Sequence, residues 1–149
     1  DPTDPTEFTF TTSIDPVIRT TYQALNDIEA LNYLAANGDL RKVFGSTNIQ
    51  AAKTHYQAFG FNEGRAIDNF DELSYVACSS DLMRAFGGDL NNLAFNGLNH
   101  YLNYGINEPS RSTSADVTTF INSNNLNDQF LSDPDSVKRQ YITNFINGN

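Results

Sequence analysis

Apolar positions recur at helical spacing through most of this chain, in short runs closed by glycine. In "DIEALNYLAAN", Ile28, Leu31 and Leu34 share one face, Asp27 stands where an N-cap belongs, and Asn37-Gly38 supplies the stop. Asp39 and Asp81 hold the N-cap position of two short segments, "DLRKVFG" and "DLMRAFG", which end at Gly45 and Gly87. A third helix begins near Ser46 or Thr47 and aligns Ile49, Ala52, Tyr56 and Phe59 before Gly60 stops it in a left-handed turn. The buried set predicted from this pattern is Leu31, Tyr33, Leu40, Phe44, Tyr56 and Phe59, with Leu73, Tyr75, Leu82, Phe86, Tyr101 and Tyr104 as their counterparts.

The counterparts follow from a repeat. Leu31, Tyr33, Asp39, Leu40, Phe44 and Gly45 match Leu73, Tyr75, Asp81, Leu82, Phe86 and Gly87, each pair 42 positions apart. After a three-residue insertion, His55, Tyr56, Gly60, Asn62 and Glu63 match His100, Tyr101, Gly105, Asn107 and Glu108 at 45 positions, and one further insertion aligns Arg65 with Arg111. Matches in such fixed register mark tandem units, repeat 1 over residues 28–67 and repeat 2 over 70–111. Phe120, Leu126, Phe130, Tyr141 and Gly148 echo the spacing of Tyr33, Leu40, Phe44, Tyr56 and Gly64, which predicts a degenerate capping repeat over 115–149. "TTYQAL" at 20–25 resembles "THYQAF" at 54–59, as though the chain entered through the last helix of an earlier copy. The expected fold is all-α: short-helix repeats of about 42–45 residues packed as one compact domain over 17–149.

Residues 1–16, "DPTDPTEFTFTTSIDP", break the pattern. Two Asp-Pro-Thr triplets predict an extended arm, and Phe8 and Phe10 alternate with threonines at the period of a strand. A helical body offers no evident sheet for such a strand, so the arm either lies across its own domain or reaches a neighbour. Exposed aromatic rings are costly. Phe8 and Phe10 are therefore expected to form a subunit contact, and head-to-tail contacts of that kind build open polymers.

Composition then limits the function. The chain has 149 residues, enough to bury a core without disulfides, and its one cysteine, Cys78, excludes an internal disulfide framework. With 9 Lys and Arg against 18 Asp and Glu, the net charge of −9 repels phosphate backbones, so nucleic acid is not an expected partner. No apolar run approaches the roughly 20 residues of a membrane span. Asparagine occurs 19 times, so neutral amides cover much of the surface. The chain opens with Asp1 rather than Met, as expected of a processed form or an excised piece.

Few residues suggest chemistry. His55 and His100 fill the same slot and are the obvious metal ligands or bases, yet neither has a Cys or carboxylate at i+3 or i+4 to complete a zinc set. A histidine beside a core tyrosine at a repeated junction more often satisfies a neighbouring carbonyl or caps a turn. Cys78 aligns with Ala36, which marks a tight apolar site, and "YVACSSDL" brings no basic neighbour to activate a thiolate. Calcium is the one cofactor the acidic balance admits. Its loosest candidate ligands are Asp68, Asp71 and Glu72 in "DNFDE" and Asp133 and Asp135 in "SDPDS", although carboxylates at a helix start are also favoured by the dipole.

The pattern Tyr-x5-Asp-Leu-x3-Phe-Gly followed by His-Tyr-x3-Gly-x-Asn-Glu-Gly-Arg resembles the tandem repeats of large secreted and surface proteins of bacteria, including cyanobacteria and alphaproteobacteria. The resemblance covers about residues 28–111, and the second copy departs from it with Glu108-Pro109-Ser110-Arg111 where those repeats write Glu-Gly-Arg. It implies an extracellular or cell-surface setting, frequent company with calcium-binding nonapeptide arrays, and no agreed activity. His55, Tyr56, Gly60, Glu63 and Arg65, with His100, Tyr101, Gly105, Glu108 and Arg111, are read as structural junction residues. The function expected is a non-enzymatic structural and interaction module that self-associates into a filament, sheath or surface layer. The alternative is an adhesive module that binds a glycan or cell surface through the Asn- and Tyr-rich loops "GGDLNNLAFNG" and "NYGINEP". A hydrolase would need a pocket joining His55 or His100 to a carboxylate and a nucleophile.

Overall fold

A computed structural model describes residues 7–148. The two Asp-Pro-Thr triplets expected to be extended lie outside the described residues. Two strands come first, β1 (Thr9–Thr11) and β2 (Ser13–Val17), followed by helices α1 (Asp27–Ala36), α2 (Gly38–Phe44) and α3 (Ile49–His55), the last continuing into a π-helical turn at Tyr56–Gly60. Next come β3 (Asp68–Phe70), α4 (Glu72–Ala77), α5 (Ser80–Phe86), a 3-10 turn at Leu90–Asn92, α6 (Leu93–Asn103) and a 3-10 turn at Gly105–Asn107. The chain closes with β4 (Ser114–Asp116), α7 (Thr118–Ser123), α8 (Asn127–Ser132) and α9 (Pro134–Ile146). The protein is mostly α.

Among the described residues two units form, one from 7–12, Asp71–Gly97 and 110–148, the other from Ser13–Phe70 and Leu98–Pro109. In the second, α1 starts under a reciprocal cap. Asn26 Oδ1 accepts from the Glu29 amide at 2.8 Å, and Glu29 Oε1 accepts from the Asn26 amide at 2.9 Å. The cap is thus Asn26, not Asp27, which is the first helical residue. Asn48, not Ser46 or Thr47, caps α3 by accepting from the Ala51 amide. Around these helices Leu25, Tyr33, Leu34, Leu40, Ala52, Tyr56 and Ile67 form the core. "TTYQAL" is not helical here, but Tyr22 still stacks on Tyr56 with ring centroids 5.9 Å apart.

Gly60 is not the left-handed stop the pattern predicts. It lies inside the π-turn, where a Cβ would stand 1.9 Å from the Tyr33 hydroxyl oxygen, so close approach to a buried ring excludes any side chain. The left-handed residue of this turn is Gly64, at φ 66°. The π-turn also explains an exception in the predicted core. Its wider winding carries Phe59 off the face that holds Tyr56, and the ring is 59% exposed. Tyr104, the matched residue, leaves the end of α6 with φ −134° and is 62% exposed. Phe44, Phe86 and Tyr101 are half-buried, and the other predicted core residues are buried.

The arm corrects the sequence reading most. It does find strands, one in each unit: β1 pairs antiparallel with β4, setting Phe10 opposite Ala115, and β2 pairs with β3, setting Val17 opposite Asp68. Phe8 and Phe10 are buried against rings of their own chain. The Phe10 ring lies 5.9 Å from that of Phe130 and 5.5 Å from that of Tyr141, while Phe8 meets Phe130 edge-on. In the same unit α9 packs on α4 and α8, and Val76, Ile121, Val137 and Ile142 are fully buried.

Candidate functional site

The repeated junction residues build two matched ion-pair clamps. Arg65 holds both carboxylate oxygens of Asp39 at 2.9 Å, donates from Nε to Glu63 at 2.7 Å and from Nη1 to Asn37 Oδ1 at 3.2 Å. Arg111 holds both oxygens of Asp81 at 2.9 and 2.8 Å. Asp39 and Asp81 thus spend their carboxylates on the closing arginines. The caps of α2 and α5 are Asn37 and Ser79, neither of which makes a side-chain cap bond. Asn37 instead donates to Tyr33 O and Ala66 O, tying the α1 terminus to the turn after Gly64. The Pro109 insertion leaves the second clamp bidentate.

Hydrogen bonding from the clamp arginines, the largest influence, holds the Asp39 and Asp81 carboxyls below their ordinary range. Each therefore binds its proton less readily folded than unfolded. The stabilisation is complete above the unfolded carboxyl value, and it is lost as pH falls through the lower folded value. An Asp39→Asn/Asp81→Asn double variant is expected to unfold at lower urea than the parent at pH 7, with the gap closing in acid as pH falls through the folded carboxyl values. Parallel urea titrations at pH 7 and in acid check this, and a gap that persists in acid contradicts it.

His55 is placed by α3 between rings. Tyr33 Oη lies 2.7 Å from its Nδ1, and burial pushes the phenol up to about 12, so the hydroxyl keeps its proton. Phe44 and Phe59 flank the imidazole, with centroids 6.0 and 5.6 Å away. His100 stands 5.3 Å from Tyr104 by ring centroid, Tyr101 stacks on Phe70 at 4.1 Å, and Gly105 is buried in its 3-10 turn, where the Glu108 amide bonds its carbonyl.

The calcium candidates serve other ends. Asp71 caps α4, accepting from the Ser74 amide at 3.0 Å and the Ser74 hydroxyl at 2.9 Å, and Lys138 Nζ sits 2.5 Å from its second oxygen. Asp133 caps α9, Asp135 lies in the first turn of that helix, Glu72 opens α4, and Asp68 accepts from the Phe70 amide. Among the described residues no group of three His, Cys, Asp or Glu is arranged to hold a metal, and no helix is long and apolar enough to cross a membrane. The Asp71–Lys138 pair escaped the sequence reading because 67 positions separate its partners and no spacing rule joins them.

Cys78 is half-buried beyond the end of α4, and burial, then the Asp71 charge, pushes its thiol up to about 11. Its alkylation by iodoacetamide at pH 8 is expected to run about a hundredfold slower than that of an unstructured cysteine peptide, since thiolate sets the rate. Reaction at the peptide's rate would show that the site is open.

Compared with protein-family models, curated proteins and solved structures, the chain matches none.

Proposed function

We propose that the chain is an extracellular, non-enzymatic structural and interaction module of three tandem helical units that self-associates into a filament, sheath or surface layer. The tandem reading is supported by recurrence beyond the clamps. Phe120 and Tyr141 meet edge-on at 5.2 Å, as their counterparts Tyr33 and Tyr56 do at 5.3 Å. Asp133 caps α9 by the same i+3 bond with which Asn48 caps α3, and Gly148 repeats the positive φ of Gly64. A closing arginine precedes β3 and β4 by three residues in each case.

Self-association is carried by one observation, the exposed strand β2. With Phe8 and Phe10 buried, the contact passes to Ile14 and Val17 of β2 and Ile18 just beyond it, which are 38, 42 and 54% exposed beside a strand that, among the described residues, pairs on one side only. An apolar open edge of this kind is a template for another chain. Light scattering across a concentration series should show growing mass for the parent and a constant monomer mass for Val17→Ser/Ile18→Ser. A parent that stays monomeric at every concentration overturns the reading. Adhesion to a carbohydrate surface is the second reading, favoured by the ring-and-amide lining of a cleft beside α3.

A further inference from the structure

We infer that this cleft is a binding subsite for an uncharged glycan, an inference that rests on the adhesive reading and not on self-association. The cleft has a volume of about 430 Å³ and lies over the outer face of α3, lined by Phe44, Asn48, Gln50, Thr54, His55 and Phe59 together with Ala51. No lining residue bears a formal charge with histidine neutral. In a chain of net charge −9 this neutral lining turns away polyanions and gives a cationic ligand no carboxylate to meet.

Three features select a polyhydroxylated ligand. Phe59 presents an exposed flat ring, with the His55 ring tilted beside it at 5.6 Å, on which the C–H face of a pyranose stacks. Its exposure is built in, because the π-turn that turns it outward is fixed by Gly60 against Tyr33. Around the ring stand side-chain groups with hydrogen-bonding capacity to spare: among the described residues, Asn48 bonds through its oxygen, for the helix cap, and Gln50 through its nitrogen, toward Thr54 Oγ1 at 3.4 Å. The Asn48 amide nitrogen, the Gln50 oxygen and the His55 Nε2 atom offer hydrogen-bonding groups for sugar hydroxyls.

The same face of α9 gives a contrast. There a cleft of about 570 Å³ is lined by Asp133, Asp135, Ser136, Arg139, Gln140 and Asn144, among others, at the positions 85 residues beyond Asn48, Gln50, Ala51, Thr54, His55 and Phe59. Charges occupy three of the six matched α9 positions, Asp133, Asp135 and Arg139, so the wholly neutral ring-and-amide lining is particular to α3 and not a demand of helix packing.

The test is calorimetric titration of the full chain with a panel of probes: cellohexaose, maltohexaose, mannohexaose and chitohexaose, with oligogalacturonate as the acidic comparison. At least one neutral hexasaccharide is expected to bind, about three- to tenfold more weakly to Phe59→Ala and as well as to the parent by Leu131→Ser, which alters an apolar side chain of α8 that is 78% exposed. Phe59 is exposed, so its replacement leaves the fold intact, and circular dichroism confirms that. The inference is overturned if no neutral hexasaccharide binds, if Phe59→Ala binds as tightly as the parent, or if oligogalacturonate binds equally well. Light scattering of Phe59→Ala separates the two readings. Loss of assembly in that variant would give the cleft to a second copy of the chain, whereas a monomeric parent that binds sugar fails only the self-association reading.

Discussion

Phe10→Ala is expected to lower the stability of its unit by about 3–5 kcal/mol, the ordinary consequence of removing a fully buried phenylalanine. The ring is 1% exposed and lies against Phe130 and Tyr141, and the strand that carries it is bonded along β4. Phe8→Ser/Phe10→Ser is expected to cost more, since it removes two rings that share Phe130 and sets two hydroxyls where apolar contact was. Urea unfolding followed by far-ultraviolet circular dichroism reads both variants. A helical fold left unchanged by the double variant would mean that the arm is not seated in its own chain. It would return Phe8 and Phe10 to the role of an intersubunit anchor.

The arm marks the boundary of what the sequence makes legible. Alternation at period two announces a strand and says that Phe8 and Phe10 share a face, but it carries nothing about which surface that face meets. The partners are three-residue strands, "SAD" and "DNF", too short and too polar to stand out from a turn. Helices were legible where glycine or asparagine punctuates them, as at Asn37, Gly45 and Gly87, because terminal residues act through local backbone geometry. Phe59 shows the opposite case. A period of 3.6 places it inside, and a single wide turn, dictated by how close Gly60 must come to Tyr33, puts it outside. The ring that a periodicity argument buries is the one on which the glycan inference depends.

Lys138→Met is expected to cost its unit about 3 kcal/mol, the lower end of what breaking a buried pair costs, because Asp71 keeps its two bonds from Ser74. The lysine and aspartate side chains are only 10% and 16% exposed, so little water is at hand to replace the ammonium. The unpaired charge, and not the lost attraction, dominates the expected loss. Lys138→Met/Asp71→Asn separates the two contributions. Asparagine still accepts from the Ser74 amide and leaves no charge behind, so the double variant is expected to recover a substantial part of the loss in urea titrations. Equal losses in the single and double variants would show that the methylene packing of Lys138, or the cap charge itself, sets the cost. Recovery would show that a carboxylate within the cluster read from sequence as a calcium ligand is neutralised by a lysine of α9, so that in this unit the α4 start and α9 are held by charge as well as by packing.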